Sequence, residues 1–128
     1  MRQALRNRSV LGVAAAAEAV TGLALMVAPQ VVARLLFGVE VTGVSVVIGR
    51  VTGIALLSLG LGCWIGRREA DGGSAALIAM LSYDLLVTIY LAPVALGTEF
   101  VGALLWPAVA VHAALTVLLG REFAVRDA

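Results

Sequence analysis

The sequence predicts an all-α fold, a bundle of four transmembrane helices with a short interfacial helix between the first and second. Three observations carry this expectation. Hydrophobic residues make up 62% of the 128 and charged residues 13%, a balance outside the range of soluble domains. Four apolar stretches each approach the roughly 20 residues of helix that a hydrocarbon core of about 30 Å requires. Between them stand Gly, Pro and charge, the residues at which helices stop. Residues 1–128 are therefore read as a single integral membrane domain.

The first span covers residues 10–28 and follows the basic stretch MRQALRNRS. A basic segment before an apolar run is also the pattern of a signal peptide. Here Glu18 interrupts the apolar run, no small-x-small cleavage pattern follows, and three more spans come after, so the segment is expected to stay. In the break PQVVARLLFGVEVT, the residues Val31, Val32, Leu35, Leu36 and Val39 share one helical face with Arg34 beside them. That pattern suits a short amphipathic helix in the interface, ending at Gly38. The second span, residues 43–65, carries Ser45, Gly49 and Gly53 at a spacing of four, a small-residue stripe that lets helices approach closely and predicts a central position for this helix. GRREADGGS separates it from the third span, residues 75–96, and LGTEF separates that from the fourth, residues 101–119. Within the fourth, Pro107 is expected to kink the helix and free the carbonyl of Ala103. Trp64 and Phe100 are read as interfacial anchors, and Cys63 as a small apolar group beside Trp64.

Several function classes are excluded at this point. A net charge of +1 without a clustered basic face gives no footprint for nucleic acid. One cysteine and one histidine exclude an internal disulfide, a zinc site of paired thiolates and a multi-histidine metal site. No nucleotide loop or nucleophile motif is present, and no metal or other cofactor is expected.

Four ionisable residues fall inside the spans: Glu18, Arg50, Asp84 and His112. A charge in hydrocarbon costs a few kcal/mol or more, so each is expected to face the bundle interior and meet a partner. With a rise of about 1.5 Å per residue, Glu18 lies roughly 15 Å from the outer boundary, Arg50 roughly 11 Å, and Asp84 and His112 both roughly 18 Å. All four fit one layer in mid-membrane. Arginine's planar fork favours Arg50 with Glu18 or Asp84, and the matched depth favours Asp84 with His112. Tyr90 and Trp106 lie roughly 9 Å from the outer boundary and are expected to line a cavity opening outward. Tyr83 shares a face with Tyr90, while Thr88 and Thr116 follow Asp84 and His112 by four.

These residues predict a site for a lipophilic small molecule or lipid within the membrane, with acid–base chemistry such as isomerisation, cyclisation or epoxide opening. Asp84 and His112 form the proton-transfer pair and Glu18 is a second acid. Arg50, Tyr83, Tyr90, Trp106 and Thr88 are the ligand-binding candidates. A non-catalytic subunit or assembly factor of a larger membrane complex, whose buried charges serve packing, is the alternative, and a proton-coupled small transporter a further one. A homo-oligomer is compatible with each.

The segment LGVAAAAEAVTGLALM resembles the opening helix of small multidrug resistance transporters, in which a membrane-embedded glutamate binds protons and cationic drugs. The resemblance ends after Glu18: the later aromatic and glycine pattern of that family is absent, and Arg50 would repel cations. The layout as a whole, with GRVTGIALLSLGLGCWIGRR in the second span and LLWPAVAVHAALTVLL in the fourth, resembles the small four-helix bacterial membrane proteins grouped as DoxX-like. That resemblance implies a four-helix bundle in a bacterial cytoplasmic membrane and no residue roles.

Orientation follows from the basic residues, which are retained on the cytoplasmic side of short loops. Arg2, Arg6 and Arg8 precede the first span, Arg67 and Arg68 follow the second, and Arg121 and Arg126 follow the fourth, seven of the nine basic residues. Arg34 stands on the other side. Both termini are thus expected in the cytoplasm. Reporter fusions at Ala128 and at Gly97 should give opposite signals, the first cytoplasmic; an external signal at Ala128 would overturn the assignment.

Overall fold

Pro29 sets the first boundary. It has no N–H to donate and its ring clashes with the turn before it, so a regular helix does not run through it. In the computed structural model, α1 spans Arg2–Val27 and α2 spans Pro29–Phe37. At the end of α2, Gly38 takes a φ of 72°, the left-handed cap conformation that glycine adopts without steric cost, and its N–H donates to the Arg34 carbonyl at 2.9 Å. α3 (Val44–Gly66), α4 (Ser74–Leu96) and α5 (Leu105–Arg126) follow. The structure describes the backbone of residues 2–68 and 73–126 and the side chains of 9–68 and 73–125. Part of the arginine asymmetry, the side chains of Arg2, Arg6, Arg8 and Arg126, and residues 69–72 of the second break lie outside the described residues.

All regular structure among the described residues is helical. Four segments, Ser9–Val27, Val44–Gly66, Ser74–Leu96 and Leu105–Val125, are long and apolar enough to cross a membrane, as a multi-pass membrane protein requires. Large apolar side chains left exposed along them, such as Val47, Val51, Ile54 and Ile65 of α3, form a surface that bilayer lipid satisfies and water does not.

The bundle consists of two antiparallel pairs, α1 with α3 and α4 with α5. The first pair is fitted by absent side chains. A Cβ on Gly60 would stand 2.6 Å from the Ala15 carbonyl oxygen and 2.7 Å from the Ala19 amide nitrogen, and one on Gly53 would stand 2.6 Å from the Gly22 carbonyl oxygen. Gly49 packs on Pro29 one step further along. Of the predicted small-residue stripe, Gly53 lies in the seam against α1 and Gly49 on Pro29 of α2, while Ser45 is exposed; the seam continues instead through Gly60. It does not make α3 central. α1 is the helix that touches each of the others, and a larger share of its span is buried than of any other. The reason is geometric: Gly53 and Gly60 commit α3 to α1, while Leu11, Ala14 and Ala15 of α1 also face the second pair.

Two apolar clusters divide the interior. Towards the α3–α4 connection, Leu11, Ala14 and Ala15 meet Cys63, Leu77, Met80, Leu115 and Leu119, so all four long helices contribute. At the opposite end, Ala95, Leu105 and Val109 pack with Leu91, Phe37 and Phe100, a cluster without residues of α1 or α3. α2 joins here through the chain that follows α4. Phe37 and Phe100 meet edge to face at 5.6 Å. The amides of Val101 and Leu104 donate to the carbonyls of Phe37 and Leu35 at 3.3 and 2.8 Å.

Those bonds correct the expected fourth span. Val101 and Leu104 donate to α2 rather than to a helix of their own, so α5 starts at Leu105 instead of 101. Pro107 then falls in the first turn, where a missing N–H costs nothing, and it does not kink the middle of a span.

The glycine seam supplies a direct test. Gly60→Ala should lower stability in detergent by about 1–3 kcal/mol, since the added methyl meets backbone rather than a movable side chain. Gly62→Ala, where nothing lies within 4 Å of the new Cβ, should change it by less than about 0.5 kcal/mol. Thermal melts of the two variants showing equal losses would contradict the α1–α3 register.

Candidate functional site

Between the two apolar clusters lies a polar centre to which three helices each contribute. Glu18 comes from α1, Asp84 and Tyr83 from α4, and His112 from α5. Each stands mid-helix, so its backbone bonds are made within the helix and only its side chain needs a partner. His112 Nδ1 lies 2.7 Å from Asp84 Oδ1, a hydrogen bond linking α4 to α5. The same nitrogen lies 3.9 Å from Glu18 Oε1, which brings α1 to the pair. The Tyr83 hydroxyl faces the Glu18 carboxylate, and its ring meets the imidazole edge to face at 5.8 Å.

Burial here is close to complete. Asp84 is 0% exposed and Glu18 3%, while the His112 side chain keeps 15% of its surface open. The second oxygen of each acid, Glu18 Oε2 and Asp84 Oδ2, has no hydrogen-bond partner in the structure. A buried carboxylate oxygen left in this way is costly where water is excluded, by an amount on the order of 1–3 kcal/mol for each. Glu18, Asp84 and His112 together offer three ligand atoms that all lie within 4.8 Å of one another, a span within which a single ion can be held. Counting cysteines and histidines along the sequence does not reveal this set, because its members are one histidine and two carboxylates on three different helices.

The remaining candidates lie elsewhere. Arg50 is exposed on α3 and makes no ion pair among the described residues. The glycine seam explains its position: Gly60 sits opposite Ala15 and Ala19, so the level of Glu18 on α3 is near residue 58, and Arg50 lies about eight residues, roughly 12 Å, further out beside Pro29. Equal counting from the span ends puts it in the acid layer, which ignores this offset. Tyr90 and Trp106 point outward, 71% and 54% exposed. Thr88 and Thr116 donate to the backbone carbonyls of Asp84 and His112 at 2.7 and 2.8 Å, so their hydroxyls serve their own helices. Two hollows of about 330 and 370 Å³ mark the surface. One is lined by Ser58, Gly62, Gly66 and Ala79 between α3 and α4, the other by Phe100, Gly102 and Trp106, and neither is lined by Glu18, Asp84 or His112.

A further polar residue, Glu122, is buried in α5 and was not singled out in the sequence because it lies beyond the span marked there. Comparison with known proteins finds no matching family model, no similar curated protein and no matching solved structure.

Proposed function

We propose that this membrane protein acts on or binds a lipophilic small molecule at the Glu18–Asp84–His112 centre, by acid–base chemistry. The observation that carries this reading is the 2.7 Å contact between His112 Nδ1 and Asp84 Oδ1 beside two carboxylate oxygens with no partner. Packing alone is served by fully paired polar groups; unsatisfied buried oxygens beside an imidazole call for a further role, and proton transfer supplies one. The His112 side chain keeps 15% of its surface open while both acids are buried, so a molecule arriving from the bilayer meets the imidazole before either acid. Asp84 then fixes the ring's orientation and holds its Nδ1 proton, and Glu18, with Tyr83 facing it, is the second acid. Reactions that need only proton movement on a membrane-soluble molecule, such as isomerisation, cyclisation or epoxide opening, suit this inventory.

The seven arginines at one end support a cytoplasmic placement of both termini, and the hydropathy layout supports a place beside DoxX-like proteins of bacterial cytoplasmic membranes. A second reading, a non-catalytic subunit of a larger membrane complex, is favoured by the complete burial of Asp84 and by hollows that do not reach it.

Asp84→Asn separates the two, because the amide keeps the shape and removes the charge. Organic extracts of purified wild-type protein, analysed by mass spectrometry, should contain a lipophilic species at near one per chain that falls at least tenfold in Asp84→Asn, with the variant still folded. Equal extracts from both proteins, or none from either, would leave the subunit reading standing.

A further inference from the structure

We propose that Glu18, Asp84 and His112 bind one divalent transition-metal ion of the zinc, iron or manganese kind in the middle of the membrane. The ligand atoms are a carboxylate oxygen from each acid and Nδ1 of the imidazole.

Distance is the first ground. Metal bonds of about 2.0–2.2 Å to nitrogen and oxygen set neighbouring ligand atoms roughly 3–3.5 Å apart. The present separations, 2.7 Å for His112 to Asp84, 3.9 Å for His112 to Glu18, and 4.8 Å as the upper limit for the set, bracket that value. A small rotation of Glu18 inward and of Asp84 outward closes the difference.

Charge is the second ground. With all three ligand groups deprotonated, as metal binding requires, the site carries two negative charges, and a net charge is expensive in a bilayer interior. Arg50 is too far out to balance it, and a protonated His112 offsets half. A divalent cation offsets all of it. The unpartnered, buried Glu18 Oε2 and Asp84 Oδ2 are an independent sign that the acids await a ligand the protein does not itself supply.

Ligand type selects the ion. An imidazole with carboxylates suits zinc, iron or manganese and does not suit soft monovalent copper, while the imidazole disfavours magnesium and calcium. Three protein ligands also leave coordination positions open, as catalytic sites do and closed structural sites do not. The ion competes with the shared proton for the same Nδ1, on the one ligand of the three whose side chain keeps 15% of its surface open. The inference rests on the reading of this centre as a reaction site for the identity of the molecule acted on, whereas binding of the ion is tested without that molecule.

Protein purified in detergent and stripped with a chelator is titrated with Co²⁺ alone, followed by visible d–d absorption. Wild type and Arg50→Leu should each take up one Co²⁺ per chain, displaced by Zn²⁺, and saturating Zn²⁺ should raise the wild-type melting temperature by roughly 5 °C or more. Glu18→Gln and Asp84→Asn should lose the bands. Absence of bands and of a Zn²⁺ shift in folded wild type overturns the proposal whether or not the variants fold; bands retained by both variants overturn it as well. A lipophilic species held by a wild type that fails to bind Co²⁺ would leave metal-free acid–base chemistry in place, and Co²⁺ binding without such a species would do the reverse.

Discussion

A charged group in hydrocarbon has no water to turn to, so its partner must come from the protein, and here the partners lie across the gap between two helix pairs. Glu18 stands on one side of that gap, and Asp84 and His112 on the other. This meeting fixes the rotation of α1, because turning it by one residue would take Glu18 about 100° away from the imidazole. It fixes the α4–α5 register as well, since the 2.7 Å contact tolerates no slip of a helical turn. The apolar clusters on either side fill the space that this alignment leaves.

Such a polar contact does not by itself hold the bundle together. Interhelical polar bonds in membranes are worth about 0.6–2 kcal/mol each, so the His112–Asp84 bond specifies an arrangement more than it supplies stability. The larger share comes from close backbone packing along Gly22, Gly53 and Gly60, where α1 and α3 approach to the limit that a missing Cβ permits. The two devices are spatially separate. The glycine seam joins α1 to α3, the polar centre joins α1 to α4 and α5, and α1 is the member common to both. At the far end, the chain after α4 donates two backbone bonds to α2 and makes an aromatic contact with it, which ties the second pair back to the first.

Helix number and order were legible because hydropathy over about 20 residues is a strong signal and Pro29, Gly38 and Gly73 stand at helix boundaries. The meeting of Asp84 with His112 was legible because both lie near the middle of consecutive spans joined by a short connection, which an antiparallel hairpin brings level even though the fourth helix starts later than expected. Arg50 was misplaced by depth counting. Its helix is offset outward by the segment around Pro29, and a shift of about one and a half turns cannot be seen from span lengths. The late start of α5 was hidden for a different reason: residues 101–104 are apolar enough to continue a span, and only their bonds to Leu35 and Phe37 show that they do not. The metal-capable grouping was invisible in the spacing of residues, since Glu18, Asp84 and His112 share no local motif.

His112, the chain's single histidine, makes the centre directly observable. In chelator-treated protein carrying ¹⁵N-labelled histidine, the ring nitrogens report one site by nuclear magnetic resonance. The geometry predicts a large change at Nδ1 on Asp84→Asn, a smaller one on Glu18→Gln in keeping with 2.7 against 3.9 Å, and none on Arg50→Leu. Ring resonances that stay the same in folded Asp84→Asn would show that His112 does not face Asp84, and the account of a shared polar centre would fail.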